Sequence, residues 1–170
     1  MSALHALVEA SNAVAATSAR NDKVAILASY LAEVDVDEVQ IAVALLTGEP
    51  RQGRIGIGWA TVAGAIKSLT AEPSESTLTL HDIDTAIDQV AETRGGGSAA
   101  ERQAILQRVF DLGSAAEQDF LRAVFTGGLR QGALGGVVTS AIAKANGVKV
   151  ASVRRAAMLL GDLGEASEIA

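Results

Sequence analysis

The seven residues TGEPRQG at 47–53 return as TGGLRQG at 126–132, 79 positions later, with five of the seven identical. The match extends at the same offset without a gap. Lys23 aligns with Arg102, Ile26 with Ile105, Leu27 with Leu106 and Glu38 with Glu117. Ile41 aligns with Phe120, Ala44 with Ala123, Ile55 with Leu134 and Gly56 with Gly135. A register that holds over some thirty-five positions is an internal repeat, and it constrains the fold more than any single motif. Two copies with so long a period are too few for a solenoid. They predict one domain built from two similar halves related by a pseudo-two-fold axis.

At 170 residues the chain fits one compact domain. Its apolar residues, 49% of the whole, are mostly Ala, Val, Leu and Ile, with three Phe, one Trp and one Tyr. Small side chains in that proportion favour closely packed helices. Cysteine is absent, which removes disulfides, thiolate metal sites and thiol nucleophiles and suits a cytoplasmic protein. No apolar run has the length of a membrane span, and no basic segment leads into an apolar one at the N-terminus.

Helical spacing recurs along the chain. It predicts helices over about 2–17, 22–33 (capped by Asn21 or Asp22), 36–47 (capped by Asp35) and 58–69. It continues with an acidic helix in TLHDIDTAIDQVAET and helices near 99–112, 115–125, 134–145 and 150–160. STLTLH is the one weak strand candidate. AEPSEST reads as a polar linker, and RGGGS (94–98) as a flexible joint between halves of about 1–93 and 99–161. The expected fold is all-α, a single helical domain over 1–161, with 162–170 as the start of a linker to a catalytic domain outside the chain.

The net charge of −6 taken alone argues against a nucleic-acid partner. Its distribution argues the other way. Phe120 to Gly161 contains six bases and no acid, and between Val39 and Ala71 Glu49 is the one acid against Arg51, Arg54 and Lys67. Positive charge therefore gathers in and after the repeated motifs. Each motif leaves one helix and opens another. A helix start offers free N–H groups and the positive end of its dipole to an anion. Arg51 and Arg130 can bind a phosphate through two N–H groups, and Gln52 and Gln131 add neutral donors. Gly53, Gly56, Gly132, Gly135 and Gly136 let backbone approach closely. Two such sites related by a two-fold match the antiparallel strands of a duplex. Contacts of this kind fix position without reading sequence.

FTGGLRQGALGG, LLTGEPRQGRIGIGW, TLHDIDTAIDQVAETRGGGS and VRRAAMLLGDLG resemble the N-terminal DNA-binding domain of ATP-dependent DNA ligases of the larger bacterial type. The resemblance covers essentially the whole chain. It implies an all-helical domain with internal two-fold pseudosymmetry that binds nicked duplex DNA across the minor groove. It also implies partners in the adenylation and OB-fold domains of the same ligase, with ATP and Mg²⁺ used there and no cofactor in this piece. By resemblance the phosphate-gripping residues are Arg51, Gln52, Gly53 and Arg54 in copy one and Arg130, Gln131 and Gly132 in copy two. Gly56, Gly135 and Lys144 are placed with them. Ala133 stands opposite Arg54 and Leu129 opposite Pro50, so the two grips are expected to be unequal. The implied roles are DNA replication, repair and recombination, in a cytoplasmic monomer.

A ligase needs a nucleophilic lysine in a Lys-X-Asp-Gly motif. KANG at 144–147 has Asn in place of Asp and reads as a helix end, so this chain is expected to be non-catalytic. GRIGIG lacks dinucleotide spacing and a preceding strand. His5 and His81 are too far apart to suggest a metal site. Asp84 and Asp88 share a helix face expected to lie in solvent, and Trp59 is expected to anchor a helix start. The alternative reading is a helical protein-interaction module in which the Arg-Gln-Gly loops are only turns. Arg51 and Arg130 on one face with Lys67 and Lys144 would favour DNA; arginines buried in salt bridges would favour the module.

Overall fold

Leu80, Ile83, Ile87 and Val90 recur at helical spacing, and all four are buried on one face of the acidic helix. Thr79 and Asp82 start that helix with a reciprocal capping box: the Asp82 N–H donates to Thr79 Oγ1 at 3.2 Å, and the Thr79 N–H donates to the Asp82 carboxylate at 2.9 Å. Comparable local logic builds the rest of the chain. The computed structural model describes residues 1–53, 55, 57–68, 76–129 and 134–170. Its helices are α1 (Leu4–Ala16), α2 (Arg20–Leu31), α3 (Val39–Thr47, entered through a 3₁₀ turn at Val36–Glu38), α4 (Trp59–Lys67) and α5 (Leu80–Glu92). They continue with α6 (Ser98–Leu112), α7 (Ala115–Phe125), α8 (Leu134–Ala145), α9 (Val150–Leu160) and α10 (Leu163–Glu168). The fold is all-α. In STLTLH the described residues form one isolated bridge, Ala3 with Thr79, and no strand.

That bridge is informative. The Leu4 N–H donates to the Leu78 carbonyl at 2.9 Å, and the Leu80 N–H donates to the Ser2 carbonyl at 3.0 Å. Ala3 meets Thr79, 76 positions away, and at that offset the two hydrogen bonds exchange, Leu4 matching Leu80 and Ser2 matching Leu78. At this offset α1 and α5 bury the same pattern: Leu4 with Leu80, Leu7 with Ile83, Val8 with Asp84, Ala10 with Ala86, Ser11 with Ile87 and Val14 with Val90. The step from 76 to the later offset of 79 falls between α5 and α6, where Gly95 and Gly97 take positive φ in the turn before Ser98. α5 thus opens the second half, so the matched sets are α1–α4 and α5–α8 and not 1–93 and 99–161, and packing between these halves follows the same exchange. α2 packs on α8 as α6 packs on α4, and α1 packs on α7 as α5 packs on α3. Swapping the halves leaves this set unchanged, the pattern a two-fold axis through the bridge would give.

One continuous core lies between the halves, with Leu45, Leu46, Leu106, Phe110, Leu121 and Ile142 fully buried. Phe110 meets Phe125 edge-on, ring centroids 6.3 Å apart. Three local expectations change. α2 starts after Ala19 with no side-chain cap, so Asp22 sits inside its first turn rather than capping it. Asp35 makes no cap bond and instead pairs with the Met1 ammonium group. The stretch from 162, read as the start of a linker, contains α10: Asp162 accepts from the Glu165 N–H at 2.8 Å, and Ala166 and Ser167 are buried. The helix packs on α3 and α9, so ordered structure reaches beyond 161.

Candidate nucleic-acid interface

The letters TG of the repeated motif have a structural explanation. α3 ends at Gly48, with φ of 72°, and the Gly48 and Glu49 N–H groups donate to Leu45 and Ala44 carbonyls at 3.2 and 3.0 Å. α7 ends the same way. Gly127 has φ of 68°, and the Gly127 and Gly128 N–H groups donate to Val124 and Ala123 carbonyls at 3.3 and 2.8 Å. This is a left-handed helix stop that favours glycine. The preceding hydroxyls also match: Thr47 donates to the Val43 carbonyl and Thr126 to the Arg122 carbonyl. Identity at Thr and Gly therefore follows from ending a helix, and Arg-Gln-Gly is left to be explained.

In the first loop that explanation is partly internal. The Gly53 N–H closes a turn onto the Pro50 carbonyl at 2.8 Å, with Gly53 at φ of 70°. Arg51 lies along α5. Its Nε donates to Asp84 Oδ1 at 2.6 Å, and its Nη2 donates to Asp84 Oδ2 at 2.5 Å and to Asp88 Oδ2 at 2.8 Å. Gln52 Nε2 joins both carboxylates, Asp84 Oδ1 at 2.8 Å and Asp88 Oδ1 at 2.9 Å. The hydrogen bonds that Arg51 donates to Asp84 raise its guanidinium pKa above the ordinary value; burial opposes this, and the charges of Asp84 and Asp88 reinforce it. The expectation that Asp84 and Asp88 share a solvent face is corrected. Asp84 is 6% exposed and holds the loop, while the Asp88 side chain is 43% exposed. The Arg51 side chain keeps 37% of its surface open, so it is ion-paired without being buried.

Gly58 starts α4 without a side-chain cap, and the first turn holds no acid. Trp59 is 65% exposed, against the expectation of an anchor, and Val62 and Ala65 are the residues of α4 buried in the core. α8 likewise has no acid in its first turn, with Leu134 buried and Gly135 exposed. Lys67 and Lys144 sit in the last turns of α4 and α8 and are exposed. At about 1.5 Å per residue, each lies more than about 10 Å along its helix from the loop that precedes it. KANG is the end of α8, where Gly147 has φ of 65° and the Val148 N–H donates to the Ala143 carbonyl at 2.9 Å. Arg54, Gly56, Arg130, Gln131, Gly132 and Ala133 lie outside the described residues, as do positions 71–75 of the polar linker.

Sequence reading overlooked Arg20. From α2 its Nη2 donates to the Gly136 carbonyl at 3.0 Å and to Ser140 Oγ at 3.3 Å, which puts a cation beside the first turns of α8. The partners are 116 and 120 positions away, so no local pattern signals them. His5 pairs with Glu9 on the surface, Asp82 serves its cap, and no group of His, Asp or Glu suited to a metal occurs among the described residues.

Residues 68–143 match the family described as "DNA ligase N terminus". The chain is 45% identical over 167 residues to a "Probable DNA ligase" of Pseudarthrobacter chlorophenolicus, covering 98% of this chain and 32% of the relative. It is 47% identical over 158 residues to one of Rhodococcus opacus, covering 92% and 31%. It is 45% identical over 157 residues to one of Anaeromyxobacter dehalogenans, again covering 92% and 31%. The chain thus spans about a third of the length of these curated relatives. Helical fold, family match and relatives agree: the chain is similar to the N-terminal part of DNA ligases, with residues 68–143 carrying the family match.

Proposed function

We propose that this chain is the non-catalytic DNA-binding domain of an ATP-dependent DNA ligase. It grips nicked duplex DNA by phosphate contacts across the minor groove and orients the nick for sealing in replication, repair and recombination. The partners are the adenylation and OB-fold domains of the same cytoplasmic enzyme, which use ATP and Mg²⁺, and the domain acts as a monomer. The proposed contacts are Arg51, Gln52, Gly53, Arg54, Gly56, Arg130, Gln131, Gly132, Gly135 and Lys144. One observation carries the reading: α4 and α8, the helices that follow the two arginine loops, both start without an acid in the first turn, within a framework whose contacts exchange between halves. Such helix starts favour phosphate oxygens. Arg51 divides its charge between two carboxylates, so binding by this piece alone is weak and steeply salt-dependent.

The ion pairs of Arg51, with the exposed Met158 and Leu159 on α9, favour a second reading, a protein-interaction module without DNA contact. Titration of labelled nicked, intact and single-stranded DNA separates the two. Anisotropy and the fluorescence of Trp59, the sole tryptophan, report binding. The DNA reading expects duplex preference at low salt and a loss of affinity in the Arg51→Ala/Arg130→Ala variant. Equal, negligible binding of all three DNAs by wild type and variant would support the module.

A further inference from the structure

We infer that Asp84, assisted by Asp88, is a positioning residue for DNA: it aims Arg51 and Gln52 at a phosphate although its own charge repels one. This rests on the DNA-binding reading above. Asp84 and Asp88 place two negative charges against the one positive charge of Arg51. A site evolved only to attract phosphate has no use for that surplus. The geometry supplies a use. Asp84 takes Nε and Nη2, one whole edge of the guanidinium, and Asp88 takes Nη2 again. Among the described residues Nη1 has no hydrogen-bond partner, and 37% of the side chain stays open. A planar guanidinium clamped along one edge has its remaining N–H groups fixed in direction. Gln52 bonds both carboxylates and so ties them together. The clamp is anchored because Asp84 is buried on the inner face of α5. The counterpart positions on α1 are Val8 and Asn12, which carry no charge, so the device belongs to one half only.

Charge and position predict opposite signs, which makes the inference testable. If Asp84 acted only through its charge, Asp84→Asn would tighten nicked-duplex binding. As a positioning residue, its loss weakens binding roughly tenfold at low salt and lowers the log–log salt slope by about 0.9, one phosphate's worth. Arg51→Ala gives the same loss, and the double variant Arg51→Ala/Asp84→Asn gives no further loss, because one contact cannot be removed twice. Should Asp84→Asn fail to fold by circular dichroism, Asp84→Glu keeps the charge and moves the carboxylate by one methylene. Coulomb attraction then predicts no change and positioning predicts the same weakening. Tighter binding by Asp84→Asn, or an unchanged salt slope in the folded variants, overturns the inference. If Arg51→Ala leaves the slope intact while Arg130→Ala lowers it, the clamp is a fold latch, and DNA binding survives without it. If neither arginine affects binding, the DNA reading itself fails.

Discussion

α1 and α5 share a burial pattern at six successive inward positions, yet one of those positions holds Val8 in α1 and Asp84 in α5. Asn12 and Asp88 differ in the same way one turn later. In α1 the face carries no charge and is apolar except for Ser11. In α5 the same face carries a carboxylate into the protein, tolerated because Arg51 and Gln52 reach it from the loop after α3. A repeat therefore keeps its packing while one copy gains a polar lock. The cost of a buried carboxylate is offset where a guanidinium meets it in two-pronged geometry.

The strongest way to break this comparison is to give α1 what α5 has. Val8 is 2% exposed, so Val8→Asp buries a charge and is expected to lower unfolding free energy by about 4 kcal/mol or to prevent folding. Tolerance in a urea melt would mean that a cation reaches α1 from the second loop and that the halves are alike there. Leu4→Ala and Leu80→Ala come next. Both leucines are fully buried at counterpart positions, and each change should cost about 3 kcal/mol in the same melt. Unequal costs would place the two helices in different packing environments.

Asp84→Ala removes the lock, with an expected loss of about 2 kcal/mol, moderated because Arg51 remains partly in water. Gly48→Ala and Gly127→Ala test the shared helix stop. Both impose a left-handed backbone on a side chain, about 1 kcal/mol each. Gly48→Ala should cost slightly more, since its Cβ would lie 3.4 Å from Leu129 Cβ and that of Gly127 would meet nothing. Smallest is Tyr30. Burial, with the charge of Glu38 adding, raises its phenol above the ordinary value of 10.0, and its hydroxyl has no partner among the described residues. Below pH 10 the phenol is neutral in both states. Above it the unfolded chain ionises first, so stability falls with rising pH. Tyr30→Phe should be within about 1 kcal/mol of wild type at neutral pH and lose less stability above pH 10.

Much of this organisation is legible in the sequence, for local reasons. Helical period marks α5, α7 and α8, and the repeated TG marks two helix stops. The equivalence of α1 and α5 is hidden because three extra residues between α5 and α6 shift the register from 76 to 79, and because α1 keeps the apolar pattern without the letters. α10 is hidden because GDLGEASEIA is short and has as many polar residues as apolar ones; Ala166 and Ser167 gain burial from α3, far away in sequence. Arg51 with Asp84, and Arg20 with Gly136, are pairings across 33 and 116 positions that only the packing of helices creates. Asp84 looks like a solvent residue at i, i+4 from Asp88 until the incoming loop is seen.

The central claim is that both arginine loops hold phosphates. It is tested most directly by the salt dependence of nicked-duplex affinity for wild type, Arg51→Ala, Arg130→Ala and the pair. The account predicts a log–log slope shallower by about 0.9 in each single variant and by about 1.8 in the double. Identical slopes in all four proteins would contradict it.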